Sequence, residues 1–219
     1  MNESSGAPKG EEAESPSWGV LVLNQTIGLA TVLALLILFL PSGTGARVLA
    51  RFPALHRAAE TLLEGLAAPG AVDVLAGIAA GALMIGWNVL HQTVLARRGD
   101  FGRGEPRIRA GVERAAAAYL VAATAFNEEI IFRGWLFSLV AARFGPAAAL
   151  AGTSVLFALV HTEKGMHGRV TVFVYGLVLG GLWMLTGSLW SCVLAHAVLN
   201  AVAFFRPSRA AGNRGERPA

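Results

Sequence analysis

Cysteine is almost missing from this chain: Cys192 is the only one in 219 residues. A single thiol excludes an internal disulfide and any metal centre built on several cysteines, and inside an apolar stretch its simplest role is packing. Charge is scarce as well. Only 15% of residues are Asp, Glu, Lys or Arg, against 54% hydrophobic, a balance too apolar for an ordinary soluble domain. There is no His-Glu-x-x-His helix of the kind that marks zinc hydrolases, no nucleic-acid-binding motif, no internal repeat and no linker long enough to separate domains. The net charge of +4 therefore points to anionic lipid as a partner, not to nucleic acid.

What the sequence has instead is long apolar runs. Those near the length of about 20 residues that crosses a bilayer fall at 18–40, 71–96, 112–141, 147–161, 170–185 and 189–205. This predicts an all-α polytopic membrane bundle of about six transmembrane helices, the fourth and fifth short. The first run follows a polar leader and is long for the apolar region of a cleaved signal, so it reads as a permanent span. Between the first two spans, Leu55, Ala59, Leu62, Leu63 and Leu66 share one helical stripe after Pro53, which predicts an interfacial helix on the outer surface. Segments 1–17 and 207–219 lack the apolar content to fold and read as disordered tails. Residues 18–110 read as accessory helices and 111–206 as the bundle that carries the chemistry.

Orientation follows the basic residues. With both termini cytoplasmic, thirteen of the eighteen Lys and Arg, including Lys9, Arg97, Arg98, Lys164 and Arg169, fall on that side. Arg47, Arg51, Arg57 and Arg143 fall outside, and Arg133 lies within the membrane. A Gly-, Ala- and Arg-rich chain with no eukaryotic sorting signal suggests a prokaryotic inner membrane.

Glu128 and Glu129 stand in the middle of the third run, where a charge costs at least about 2.5 kcal/mol. Glu129 and Arg133 are four apart, so they can pair within one helix. Glu128 points about 100° away and is left without a local partner. The fourth run ends in Phe157-Ala-Leu-Val-His161, and the sixth carries His196-Ala-Val-Leu-Asn200 with both polar side chains on one stripe. At 1.5 Å per residue, Glu128 lies about 20 Å beyond Arg114, His161 roughly 20 Å from the outer end of its helix, and His196 and Asn200 about 12 and 18 Å from theirs. All four can meet between mid-membrane and the cytoplasmic leaflet. A carboxylate, two imidazoles and an amide at one depth are what a buried hydrolytic site requires. His167, in a 162–168 loop, and Asn88 and His91 read as solvated and interhelical groups outside it, and Gly176, Gly180 and Gly181 as close-packing positions.

Glu-Glu-x-x-x-Arg at 128–133, Phe-x-x-x-His at 157–161 and His-x-x-x-Asn at 196–200, in this order on successive membrane helices, resemble the three motifs of the CPBP family. That family includes the prenyl-protein endopeptidases of the CAAX-processing type and the bacterial Abi proteins. The resemblance implies a glutamate-dependent intramembrane endopeptidase acting on a membrane-associated protein or peptide. Glu128 would be the general base, His161 would hold the attacking water, and His196 and Asn200 would stabilise the oxyanion. Glu129, Arg133 and Phe157 would support them, with no cofactor required.

Three other readings compete. Glu128, His161 and His196 supply the ligand types of a catalytic zinc site, a route ranked below the metal-free one. Ser154 with His196 superficially resembles the rhomboid serine dyad but leaves Glu128 unused. Outside the enzymes, the same groups suit an ion or proton pathway or an immunity-type binding partner.

Overall fold

A bilayer offers the backbone no hydrogen-bond partners, so an apolar chain that crosses it must satisfy its own amides, and helices do this locally. The computed structural model describes residues 18–39, 52–97, 111–161 and 165–205. Among these there are seven helices and no strand. They are α1 (Trp18–Phe39), α2 (Pro53–Gly65), α3 (Ala71–Arg97), α4 (111–144), α5 (Pro146–Val160), α6 (Gly165–Thr186) and α7 (Leu189–Phe205). Three of them hold apolar stretches long enough to cross a membrane, Ala71–Val94, Glu113–Phe144 and Gly165–Thr186, and α1, α5 and α7 are shorter apolar helices. The protein is an integral membrane helix bundle. The sequence-predicted tails at 1–17 and 207–219 lie outside the described residues.

Two tight turns set the order of packing. Gly145, at φ 88°, closes α4 by donating its N–H to Ala141, and Pro146 starts α5 at once. Gly187, at φ 63°, likewise ends α6 with a bond to Trp183 before α7 begins. Glycine reaches that left-handed region without the Cβ penalty. Connections this short leave each helix antiparallel to the next, so α5 lies on α6, α4 on α7, and α3 against both α6 and α7. α1 packs on α4, joined by a Thr26 to Tyr119 hydrogen bond of 2.8 Å and by Asn127 Nδ2 donating to the Gln25 carbonyl at 3.3 Å. Met84, Leu179, Leu189, Cys192 and Ala195 are fully buried between α3, α6 and α7. Cys192 is packing, with its thiol donating weakly to the Leu179 carbonyl at 3.5 Å.

One boundary differs from expectation. The fifth span starts at Gly165, not 170, and at 22 residues it is not short. His167 consequently sits in the first turn of α6, not in a loop. The polar Gly-Met-His-Gly-Arg stretch reads as a loop because nothing apolar marks it, yet it is the start of the helix. The helix predicted after Pro53 is present as α2, and the structure adds what its stripe faces: Ala59 and Leu62 are buried against the second half of α4.

That second half is unusual. From Ile130 to Phe137 the helix is π-helical, flanked by regular turns at Gly111–Glu129 and Ser138–Phe144. A π segment widens the turn and is rare outside functional sites. Here it begins directly after the two glutamates and contains Arg133.

Candidate active site

Glu129 is the floor of the site, with no exposed surface. Its Oε1 accepts a hydrogen bond from Arg133 Nη1 at 3.0 Å and another from His196 Nδ1 at 2.8 Å. The i, i+4 pair expected from the spacing is therefore formed, even though Arg133 lies in the π segment. Arg133 is also almost completely buried. Its other nitrogen, Nη2, donates to the Gly176 carbonyl at 3.4 Å, and its guanidinium lies 4.6 Å from the Phe157 ring centroid. A buried ion pair holds its place where further hydrogen bonds support it: Gly176 and Phe157 do this for the guanidinium and His196 for Glu129 Oε1, while Glu129 Oε2 is buried with no hydrogen-bond partner.

His161 is the C-terminal cap of α5. The last carbonyls of a helix lack amide partners, and the ring takes up one of them: Nδ1 lies 2.7 Å from the Phe157 carbonyl. A carbonyl can only accept, so Nδ1 carries the proton and a neutral His161 presents a bare Nε2. At His196 the same logic applies, because Nδ1 faces the Glu129 carboxylate and Nε2 is turned the other way. Both Nε2 atoms converge on one oxygen. Glu128 Oε2 is 3.8 Å from His161 Nε2 and 3.9 Å from His196 Nε2. That oxygen is buried and has no hydrogen-bond partner.

Phe157 holds these groups in register. Its ring meets His161 edge-on at a centroid distance of 4.7 Å and His196 at 6.1 Å, and Phe132 packs on it at 4.9 Å. One aromatic side chain thus touches both imidazoles and the guanidinium.

The structure brings together Glu128, Glu129, Arg133, Phe157, His161 and His196. Asn200 lies one turn beyond His196 on the same face of α7, half-buried, and joins no hydrogen bond among the described residues. Ser154 does not join the group: its hydroxyl donates to the Leu150 carbonyl of its own helix at 2.6 Å. Gly176 packs its bare Cα against Ser154. Gly176 and Gly180 are close-approach positions as expected, whereas Gly181 faces open space. His91 makes the interhelical bond predicted for it, to Thr171 Oγ1 at 2.6 Å, and Asn88 accepts from Gln92.

Sequence reasoning missed the π-helical segment and the two bonds that fix Asn127 beside Glu128, from Asn127 Nδ2 to the carbonyl and to the side-chain oxygen of Gln25, each 3.3 Å. Three adjacent polar residues, Asn24, Gln25 and Thr26, in an apolar span were the available signal for the second. For the first, Ile-Ile-Phe-Arg-Gly-Trp-Leu-Phe differs in no local respect from an ordinary helical stretch.

Fold and site together define a class: a polytopic membrane helix bundle closed around a buried carboxylate and imidazole cluster. Among protein-family models, one described as type II CAAX prenyl endopeptidase Rce1-like matches residues 112–202, the stretch that supplies every member of the cluster. Over this stretch, which is under half of the chain, the protein is similar to that family. No curated protein and no solved structure matches the chain.

Proposed function

We propose that the protein is a glutamate-dependent intramembrane endopeptidase and that Glu128 activates the water. The observation that carries this is the convergence of two Nε2 atoms on the unpartnered Glu128 Oε2 at 3.8 and 3.9 Å. With His196 in its imidazolium form Nε2 donates, and the two acceptors left, Glu128 Oε2 and His161 Nε2, repel unless protons lie between them. A water that donates one hydrogen to Glu128 and the other to His161 Nε2 supplies those protons, and its lone pair is left free for a carbonyl carbon. As the C–O bond forms, Glu128 takes the proton from the water. When the C–N bond breaks, Glu128 returns that proton to the leaving amine.

His196 and Asn200 stabilise the oxyanion between these steps. His196 donates from Nε2 only as an imidazolium, since Nδ1 is already committed, and Glu129 faces the positive charge that this requires. A single such donor is worth about 2.7 to 4 kcal/mol of transition-state stabilisation. Arg133 holds the Glu129 carboxylate in place through the 3.0 Å bond to Oε1, so the second carboxylate acts on His196 rather than on substrate.

The zinc reading uses the same residues. Glu128, His161 and His196 are ligand types that zinc accepts, and a bound zinc would supply Lewis acidity and an acidified water. Their Nε2, Nε2 and Oε2 atoms face one space, at 3.8 and 3.9 Å from the carboxylate oxygen, so metal dependence separates the two routes. Purified protein in liposomes should cleave a membrane-anchored peptide, and thorough chelation should leave the rate intact. Activity that tracks zinc content one for one would replace the metal-free mechanism.

The substrate is a membrane-anchored protein or peptide presented from the cytoplasmic side of a prokaryotic inner membrane. The support for this side is the charge asymmetry: with both termini cytoplasmic, thirteen of the eighteen basic residues would fall there, and α5 would end there at His161. Met166, exposed at the start of α6, reports the sidedness. Met166→Cys in a Cys192→Ser background should react with an impermeant thiol reagent from the cytoplasmic side; labelling only from outside would invert the topology.

A further inference from the structure

The helix α2 precedes the family-matched segment, yet it is keyed into the turn that carries Arg133. Leu62, 1% exposed, rests on the bare backbone of Gly134: a methyl there would collide with Leu62 Cδ1 and lie 3.5 Å from Leu189 Cδ1. Three residues later the relation reverses. The Trp183 ring lies over Gly65, where a Cβ would strike the ring. Trp190 Nε1 then donates to the Leu66 carbonyl at 3.1 Å, which satisfies the open end of α2. A knob, a notch and a hydrogen bond fix this short helix against α4, α6 and α7.

Gly134 is inside the π segment and follows Arg133 directly. A π turn is held by packing around it rather than by its own preference, and Leu62 is the side chain that fills the space a residue at 134 would take. If the turn relaxes to regular helix, the register after Glu129 shifts. The i, i+4 spacing still lets Arg133 face Glu129, but the guanidinium leaves the position from which it reaches the Gly176 carbonyl at 3.4 Å and the Phe157 ring at 4.6 Å.

We infer that α2 is a positioning element for the site: Leu62, seated on Gly134, holds the widened turn that sets the Arg133 guanidinium against the Gly176 carbonyl and the Phe157 ring, and so fixes the Glu129 oxygen that Arg133 shares with His196. The inference deepens the hydrolytic reading and rests on it for the roles of Glu129 and His196. It differs from simple docking of α2, which would affect stability alone.

The test is a size exchange in full-length protein reconstituted in nanodiscs. Leu62→Ala should lower kcat by about tenfold or more with little change in KM, since a displacement of about 1 Å can cost about 10²-fold. Adding Gly134→Ala to Leu62→Ala places a methyl in the vacated space and should return kcat to within about threefold of wild type. Thermal stability should stay below wild type in both, because each has lost the Leu62 side chain. If the double variant does not fold, Leu62→Met serves as the conservative variant and should keep kcat near wild type.

An arm independent of activity is ¹⁵N-histidine NMR, with the His196 signal assigned by its loss in His196→Gln. The Nδ1 resonance that reports the bond to Glu129 should shift in Leu62→Ala and return with the exchange. An unaltered His196 signal in Leu62→Ala overturns the inference whatever the activity, and so does lowered stability with kcat unchanged. If the signal shifts in Leu62→Ala while the wild-type protein cleaves no peptide bond, the hydrolytic reading fails and the positioning by Leu62 stands.

Discussion

Glu128 and Glu129 are adjacent in sequence and opposite in circumstance. Glu129 has no exposed surface and two hydrogen-bond partners on one oxygen, a guanidinium from its own helix and an imidazole from α7. The Glu128 side chain is 24% exposed, and its Oε2 approaches two imidazoles without bonding to either. The same side chain thus serves as structure in one place and stays available for reaction in the next. Order in Glu129 is what makes the openness of Glu128 useful, because the bond from His196 Nδ1 to Glu129 aims His196 Nε2 at Glu128.

The contrast can be broken most completely at Glu128. Glu128→Gln keeps the shape and removes the base, so kcat should fall by about 10³-fold or more while the melting temperature stays the same, there being no hydrogen bond to lose. Full activity in this variant would end the assignment. Glu129→Gln should do the reverse: stranding Arg133 should lower stability by about 3 kcal/mol, measured by unfolding in mixed micelles, with a partial loss of turnover because His196 loses its anionic partner. A normal melting temperature would show that the buried pair is not structural. Asn200→Ala sharpens the comparison with the smallest change. It should reduce kcat by about 10²-fold at nearly constant KM and leave stability unaltered, since Asn200 joins no hydrogen bond among the described residues. A raised KM with kcat preserved would move Asn200 from the oxyanion to substrate binding.

Much of the site was legible in the sequence because helical spacing and depth are local properties. Glu129 and Arg133 had to face each other, and Phe157, His161, His196 and Asn200 had to lie along single stripes. Ring orientation was not legible. Whether His196 turns Nδ1 or Nε2 to Glu129 depends on how α7 sits on α4, a long-range outcome that no spacing encodes. The π segment was hidden for the same reason: Leu62, far upstream of Gly134 in the chain, takes up the space beside it. The amphipathic stripe of α2 was visible, but water, lipid and protein all satisfy such a stripe, and only the fold chooses among them. The early start of α6 was missed because hydropathy marks where a helix meets lipid, not where it begins.

The brevity of α5 bears on the bilayer itself. Fifteen residues span about 22 Å, well short of a hydrocarbon core about 30 Å thick, and Val155, Leu156, Leu159 and Val160 leave its outer face exposed to lipid. A short apolar face draws the adjacent leaflet inward at a modest cost per ångström. Thinning of that kind beside His161 would let the headgroups and their water dip toward the membrane centre. The reactant that hydrolysis needs, and that the apolar interior would otherwise withhold, would then reach the edge of the imidazoles through the length of one helix.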